Sequence, residues 1–185
     1  DWAKGAVFYQ IYVDRFANGD PSNDVLNREY IYIKEPSKKI DDWYCYPEQM
    51  DVRNFYGGDL QGVLDHLDYL KELGVDVIYL NPIFVSPSNH KYDIQDYDYI
   101  DPHYGKIVVD EGNTLPDWEN NNMNASKYIS RVTDKRNLEA SNEFFVHFVE
   151  EVHKKGMRVI LDGVFNHCGS FNKWLDAERI YENQY

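Results

Sequence analysis

A chain of 185 residues can bury a substantial core, because a domain of this size hides most of the apolar surface that its unfolded chain exposes. The formal net charge of −13 argues against a nucleic-acid partner, since phosphate binding depends on clustered Lys and Arg. No apolar run is long enough to span a bilayer, so we expect no membrane partner. Cys45 and Cys168 are widely separated and leave the compartment open.

Three short apolar segments have the composition of buried strands. Residues 7–13 are dense in β-branched and aromatic side chains. Residues 75–80 form a second apolar run that stops at Asn81-Pro82, and residues 157–161 form a third that leads directly into Asp162.

Two segments show the periodicity of amphipathic helices. In residues 60–73 the apolar positions recur every three or four residues, with Asp59 as a candidate N-cap and Gly74 as a terminator. Residues 138–155 place Phe144 and Phe148 on one face, and Gly156 follows as the stop. Between these helices, residues 110–137 are polar, so we expect a surface insertion rather than core.

Alternation of strands and helices predicts an α/β fold with a parallel sheet, because parallel neighbours need a crossover connection. A doubly wound sheet and a barrel both satisfy this pattern. In either fold, ligand groups lie at the C-terminal ends of strands. Asn81, Asp162, Asn166 and His167 occupy such ends. No glycine-rich phosphate loop follows the first strand, which argues against a nucleotide site.

Five segments, in this order, resemble those of the α-amylase family of glycoside hydrolases: residues 9–16 (YQIYVDRF), 57–62 (GGDLQG), 74–82 (GVDVIYLNP), 90–93 (HKYD) and 162–167 (DGVFNH). Within that family they are most similar to the neopullulanase, cyclomaltodextrinase and maltogenic amylase group and to bacterial α-amylases. The resemblance implies a (β/α)8 TIM barrel that cleaves α-glucosidic bonds with retention of configuration.

Such a barrel needs about 250 residues, so the resemblance implies that this chain is its truncated N-terminal portion, strands 1 to 3. Residues 1–167 would belong to the barrel, and residues 168–185 would begin a second domain that the family inserts there. The catalytic carboxylates of the family follow later strands, so no catalytic residue is assigned here. We expect the isolated chain to be inactive and to self-associate through uncovered strand edges.

The resemblance also implies site residues. His167 matches a histidine that donates a hydrogen bond to the sugar at the cleaved bond, and Tyr92 matches a tyrosine that stacks beneath the same sugar. Asp162 and Asn166 match residues that support the site, and Asn166 matches a calcium ligand in some members. Asn89 stands where exo-acting glucosidases of the family usually have Asp.

Two segments, residues 18–24 and 57–59, are rich in Asn, Asp and Gly. This composition is typical of turns, and its side-chain and backbone oxygens also make the two segments candidates for a calcium site. Relatives that form cyclodextrins or resemble neopullulanase use matching positions for calcium. The predicted ligands are Asn18, Asp20, Asn23, Asp24, Gly57 and Asp59. In that role Asp59 would serve the ion rather than cap the helix.

The resemblance implies a parent protein that hydrolyses starch-like α-glucan, maltooligosaccharide or cyclodextrin. An alternative is a barrel without catalysis that serves as a binding protein or as a scaffold for a membrane transporter. The presence of both His167 and Tyr92 favours the enzyme.

Overall fold

The computed structural model describes residues 1–181. Its nine strands in that range are β1 (Phe8–Ile11), β2 (Ile31–Tyr32), β3 (Glu35–Pro36), β4 (Lys38–Lys39), β5 (Asn54–Phe55), β6 (Val77–Leu80), β7 (Phe84–Val85), β8 (Asp96–Ile100) and β9 (Arg158–Leu161). The α-helices of the same range are α1 (Leu60–Asp65), α2 (Leu67–Glu72), α3 (Ser126–Thr133) and α4 (Lys135–Lys154).

Strands β1, β6 and β9 form a three-stranded sheet in that order, and both pairs are parallel. Ile11 lies opposite Leu80, and Leu80 lies opposite Leu161, so the three strands end level with one another. The predicted parallel sheet is therefore confirmed. The strands are shorter than the apolar segments that predicted them, because residues at the segment ends enter turns, such as the 3-10 turn Val13–Arg15.

The helix predicted over residues 60–73 is divided at His66, whose φ of −112° and ψ of 14° interrupt the helical backbone. The His66 Nδ1 atom lies 2.7 Å from the Gly62 carbonyl oxygen. The helix predicted over residues 138–155 is α4, which begins three residues earlier, at Lys135. The Asp134 side chain accepts a hydrogen bond from Arg136 N and caps the helix there. Gly74 and Gly156 follow their helices with φ values of +84° and +73°, which confirms both stops.

The principal core lies between the parallel sheet and helices α1, α2 and α4. Alternate residues of the strands and one face of each helix contribute to it, as the periodicity predicts. Its buried members are Ile11, Val13, Leu60, Val63, Leu67, Leu70, Val75, Ile78, Leu80, Ile83, Ile100, Tyr104, Phe148, Val152 and Met157.

The expectation that residues 110–137 form a surface insertion outside the core is wrong for part of this segment. Leu115, Ala125, Tyr128 and Val132 are buried in a second apolar cluster. The last three lie three or four residues apart, so they face one side of helix α3 and the turn before it. Neighbouring Asn and charged residues hid this spacing in the sequence.

Residues 168–181 contribute Phe171, Ile180 and Tyr181 to the same second cluster. The segment that was predicted to begin a second domain therefore packs against residues between Val25 and Leu138. Residues 182–185 of that prediction lie outside the described part of the chain.

Strands β7 and β8 pair antiparallel directly after β6. They enclose residues 86–95, which contain the predicted ligand residue Tyr92. This hairpin carries that loop toward the C-terminal edge of the parallel sheet. Within residues 1–181, no helix has the combination of length and apolar character that crossing a membrane requires.

Candidate functional site

Polar residues gather where the parallel strands end. Asn81 N donates to Ile11 O at 3.0 Å, and Asp162 N donates to Leu80 O at 3.1 Å. These bonds extend the ladder by one residue on β6 and β9. Asn81 and Asp162 are thereby fixed at the same edge of the sheet, as expected for a parallel α/β fold.

Tyr92 reaches this edge from the β7–β8 hairpin. Its hydroxyl donates to Asp162 Oδ2 at 2.7 Å. The pKa of Tyr92 is raised to about 12, mainly by partial burial and also by this hydrogen bond to the carboxylate. The hydroxyl therefore remains protonated at neutral pH and acts as a donor. The Tyr79 hydroxyl also faces Asp162, and burial together with that carboxylate raises the pKa of Tyr79.

His167 contacts the backbone of Tyr92. Its Nε2 atom is 3.0 Å from the Tyr92 carbonyl oxygen, and its Nδ1 atom is 2.7 Å from Asn166 Nδ2. An amide nitrogen only donates, so Nδ1 accepts and Nε2 carries the proton. The structure thus brings Tyr92, Asp162, Asn166 and His167 together in one connected group. We call these four residues the strand-end cluster.

The strand-end cluster offers an aromatic ring, an imidazole and a hydrogen-bonding carboxylate. An aromatic face packs well on flat apolar surfaces, while the surrounding polar groups can orient hydroxyls. His167 and Asn166 are exposed, and Tyr92 and Asp162 are partly exposed, so a ligand can reach them. Because the Nε2 proton of His167 is used on Tyr92 O, a ligand that accepts from His167 must share or replace that bond.

Several residues that sequence reasoning did not assign hold Tyr92 in place. Tyr92 N donates to His90 Nδ1 at 3.1 Å, and burial lowers the pKa of His90, which favours the neutral accepting ring. Asp93 Oδ1 accepts from Ser86 Oγ at 2.6 Å and also from Ser88 Oγ. The motif at residues 90–93 was the available signal, since these residues flank Tyr92.

Tyr97 ties the hairpin to the segment that follows β9. Its hydroxyl lies 2.9 Å from Val164 O and 2.6 Å from His167 O. Its ring is stacked on Trp174, with centroids 5.8 Å apart and planes 12° apart. Tyr97 therefore fixes the His167 backbone relative to β8.

Asn89 is buried and supports the loop from below. Its Oδ1 accepts from the Tyr12 hydroxyl at 2.5 Å, and its Nδ2 donates to Asp51 O and Asn54 O at 2.7 and 2.9 Å. Each polar atom of this amide already has a protein partner. A carboxylate at this position would lose the two donated bonds.

The six predicted calcium ligands also lie together, around the start of helix α1. Asn18 Nδ2 donates to Asp24 Oδ1 at 2.7 Å, and Asn23 Nδ2 donates to Asp59 Oδ2 at 3.1 Å. Gly57 has a φ of +85°, and a Cβ atom there would lie 2.5 Å from Asp24 Oδ1. The close approach of these two segments therefore requires glycine.

Asp59 is completely buried and caps helix α1, which confirms the N-cap prediction. Its oxygens accept from Gly62 N at 2.6 Å, Gly19 N at 3.0 Å, Asp20 N at 2.9 Å and Asn23 Nδ2. Burial raises the pKa of Asp59, although these donors oppose the shift. To bind an ion, Asp59 would have to share at least one of these oxygens.

Two amide oxygens of this region, Asn18 Oδ1 and Asn23 Oδ1, are buried without a hydrogen-bond donor. Such atoms are rare in folded proteins, and an ion or a water commonly satisfies them. Among the described residues, no group of three or more His, Cys, Asp or Glu is placed to hold a metal. Calcium also accepts amide and carbonyl oxygens, so the two orphaned oxygens fit calcium rather than a metal that needs nitrogen or sulfur ligands.

Known proteins are similar to this chain in both sequence and fold. It is 40% identical over 169 residues to Neopullulanase 2 of Thermoactinomyces vulgaris, covering 91% of this chain and 21% of that protein. It is 38% identical over 196 residues to an amylopullulanase of Thermoanaerobacter thermohydrosulfuricus, covering 99% of this chain and 11% of that protein. The chain therefore spans about a tenth to a fifth of the curated relatives that it matches.

A solved structure of the cyclic α-maltosyl-(1→6)-maltose hydrolase from Arthrobacter globiformis, in complex with cyclic α-maltosyl-(1→6)-maltose, has a similar fold. The TM-score is 0.63 and the identity is 34%, over 95% of this chain and 28% of that one. Residues 10–112 and 140–185 match the family described as Alpha amylase, catalytic domain. This chain therefore belongs to the α-amylase family of glycoside hydrolases.

Proposed function

We propose that this chain is the N-terminal part of a (β/α)8 catalytic barrel, comprising its first three strands. The sheet order β1-β6-β9 follows the chain order, as consecutive strands of a barrel do. We further propose that residues 1–167 belong to the barrel and that residues 168–185 begin an inserted domain. The family match omits residues 113–139, which supports an insertion at 110–137.

We call the protein with the complete barrel the longer protein. The activity that we propose for it is hydrolysis of α-glucosidic bonds, with retention of configuration, in starch-like glucan, maltooligosaccharide or cyclodextrin. One observation carries this proposal. The strand-end cluster joins Tyr92 to Asp162 and His167 at the edge where parallel barrels bind ligands. Two of its relatives, a neopullulanase and a hydrolase of cyclic α-maltosyl-(1→6)-maltose, support the same class of substrate.

Within the site, the Tyr92 ring would form the platform beneath the sugar at the cleaved bond. His167 would donate to a hydroxyl of that sugar, exchanging its bond to Tyr92 O for a bond to substrate. Asp162 would hold Tyr92 in place and Asn166 would hold His167 in place, because each pair is joined by a hydrogen bond. Hydrogen bonds that strengthen as the sugar flattens would contribute to catalysis.

A retaining glycosidase needs two carboxyl groups about 5 to 5.5 Å apart, and we assign neither to this chain. Asp162 matches a family residue that supports the site, and its hydrogen bond to the Tyr92 hydroxyl agrees with a supporting role. The catalytic pair would come from later strands of the barrel. We therefore expect the isolated chain to be inactive, and to self-associate through the outer edges of β1 and β9.

Calcium is the cofactor that we propose for the loop beside helix α1. Asn18, Asn23 and Asp24 would supply side-chain oxygens, and Gly57 is placed to bring its backbone against them. The ion would satisfy buried oxygens and join the loop after β1 to the start of α1. Its effect would be on stability, since none of these residues belongs to the strand-end cluster.

The test compares the longer protein with the isolated 185-residue chain on maltooligosaccharide, cyclodextrin and pullulan. We expect the longer protein to release reducing ends and the first product detected by proton NMR to be the α-anomer. A longer protein that binds these sugars without cleaving them would favour the scaffold alternative. Turnover by the purified 185-residue chain would show that the catalytic carboxylates lie within it.

A further inference from the structure

Five ionisable side chains form a continuous buried series that ends beside Tyr92. Its contacts are Lys91 Nζ to Asp101 Oδ2 at 2.7 Å, Asp101 Oδ1 to His103 Nδ1 at 2.8 Å, His103 Nε2 to Glu29 Oε1 at 2.8 Å, and Glu29 Oε2 to Arg131 Nη1 at 2.9 Å. None of the five side chains is more than 3% exposed. We call this series the buried charge chain.

The alternation of sign explains how these charges remain inside the protein. An isolated buried charge is strongly unfavourable, while a paired and fully hydrogen-bonded charge is tolerated. Each interior member has an oppositely charged neighbour on both sides when His103 is protonated. Arg131, at the far end, also contacts Asp110 Oδ1 at 2.7 Å. Lys91, by contrast, has Asp101 as its charged partner within the series, so removing Asp101 leaves the Lys91 ammonium without a counter-ion there.

Lys91, at the near end, is held by more than one bond. Its ammonium also donates to Ser86 O at 3.0 Å and lies 4.6 Å from the centre of the Tyr104 ring. A lysine is rarely completely buried, because its stem normally carries the charge to solvent. Here the side chain points inward, and its ammonium is bound entirely by protein groups.

The backbone at Lys91 has a φ of +58°, a conformation that side chains other than glycine adopt infrequently. Lys91 N donates to Ser88 Oγ at 3.0 Å. At this left-handed residue the Lys91 ammonium points into the core and contacts Asp101, while the hydroxyl of the next residue, Tyr92, contacts Asp162 at the sheet edge.

We propose that Lys91 is a positioning residue of the substrate site: its anchored ammonium holds residue 91 in the left-handed conformation and thereby places the Tyr92 ring against Asp162. This inference rests on the proposed function, in which Tyr92 supports the sugar at the cleaved bond. Lys91 does not contact substrate. It acts through Tyr92 and through the Tyr92 carbonyl that His167 contacts.

The alternative is that Lys91 only contributes to stability, and kinetic constants separate the two roles. Substituting Lys91→Met alone removes one of the two cationic partners of buried Asp101 and leaves His103 as the other, which destabilises the fold. The deciding variant is therefore Lys91→Met combined with Asp101→Asn, which removes both charges and keeps similar volumes. Lys127→Met is the matched control, because Lys127 also pairs with a carboxylate, Asp110, but lies outside the Tyr92 loop.

The variants are made in the longer protein and assayed on a maltooligosaccharide well below their melting temperatures. We expect kcat of the double variant to fall about tenfold or more, because a misplacement of about 1 Å can cost on the order of 100-fold in rate. The Lys127→Met protein should keep its kcat. An unchanged kcat per folded molecule in the double variant would overturn the proposal.

A crystal structure of the double variant gives an independent readout. We expect the Tyr92 hydroxyl to move out of hydrogen-bond distance from Asp162. A Tyr92 ring retained in its place would overturn the positioning role. If the unaltered longer protein cleaves no α-glucan, the proposed function fails, and this structural readout alone decides the inference about Lys91.

Discussion

The Tyr92 hydroxyl donates to Asp162 Oδ2 at 2.7 Å, although 70 residues separate the two in the chain. Tyr92 comes from the β7–β8 hairpin, whereas Asp162 directly follows β9. The bond thus joins an irregular loop to the most regular part of the fold. It gives the tyrosine ring an orientation that packing alone would not supply, because the ring is only partly buried.

This bond makes the hydroxyl of Tyr92 matter as well as its ring. Tyr92→Phe keeps the ring but removes a hydrogen bond to a carboxylate, so we expect a loss of about 1.5 to 3 kcal/mol in transition-state stabilisation if the ring then moves. Tyr92→Ala should lose about 1 kcal/mol more through stacking. Steady-state kinetics of the longer protein on a maltooligosaccharide measures both. Tyr44→Phe, at a tyrosine 95% exposed, is the control.

A Tyr92→Phe enzyme with unchanged kcat and KM would show that the hydroxyl contributes nothing beyond the ring. A crystal structure would then be expected to show the Phe ring in the place of the Tyr ring.

The parallel sheet and its polar edge could be predicted because their signals are local. Each strand is a short run of β-branched and apolar residues, and Asp162 directly follows one of them. Helix α4 has an uninterrupted periodicity and a terminating glycine. The strands of two residues, such as β2 and β4, have no period that a sequence pattern can show.

The buried charge chain could not be predicted from local patterns. Glu29 contacts His103 across 74 residues and Arg131 across 102 residues. Charged residues in polar segments normally lie in solvent, and nothing near Glu29 in the sequence indicates a partner. Likewise, residue type and the family resemblance indicate the proposed calcium ligands, while the buried, unpaired oxygens of Asn18 and Asn23 depend on how two distant loops meet.

His167→Ala should lower kcat of the longer enzyme more than it raises KM. The imidazole would donate to a sugar whose charge develops in the transition state, and losing such a bond costs roughly 2 to 4 kcal/mol, or on the order of 30-fold to 1,000-fold in rate. His153→Ala, at an exposed histidine near the end of α4, serves as the control. An unchanged kcat for His167→Ala would reassign His167 to supporting Tyr92 O.

Calcium should stabilise the protein, because an ion that binds only the folded state adds a free energy that rises with its concentration, about 2.7 kcal/mol at 100 times Kd. We expect the melting temperature of the longer protein to rise in calcium and to rise less in magnesium, which prefers a small, water-rich octahedral shell. Asn18→Ala and Asn23→Ala should reduce this response. Asn113→Ala, at an exposed asparagine, should leave it unchanged.

The absence of any calcium-dependent shift at millimolar concentration, together with no heat of binding by calorimetry, would contradict the calcium site. The two asparagine oxygens would then be assigned to buried water.

The buried charge chain should make stability depend on pH in two opposite ways. Burial lowers the pKa of His103, but the charges of Glu29 and Asp101 outweigh it, so the pKa is raised above its ordinary 6.5. Burial raises the pKa of Glu29 and of Asp101, but His103 with Arg131 or Lys91 outweighs it, so both are lowered, from 4.5 and 3.8.

A raised histidine pKa stabilises the fold fully below pH 6.5, and this contribution is lost as the pH rises through the folded-state value. A lowered carboxyl pKa stabilises the fold above the ordinary value of Glu29, 4.5, and this contribution is lost as the pH falls through the folded-state value. The buried charge chain should therefore stabilise the protein most between pH 4.5 and 6.5. Above that window the free energy of unfolding should fall by up to about 1.4 kcal/mol per pH unit for this one proton.

Urea unfolding of the longer protein at pH 5.5, 7 and 8.5 tests this expectation, with His103→Gln and His147→Gln as the paired variants. A glutamine side chain cannot be protonated, so the decline above pH 6.5 should become shallower in the His103→Gln variant while its stability at pH 5.5 falls. His147 is half exposed and lies 3.9 Å from Glu151, so its replacement should leave the pH profile nearly unchanged. If His103→Gln shows the same decline as the unaltered protein, His103 is not the group whose deprotonation weakens the fold.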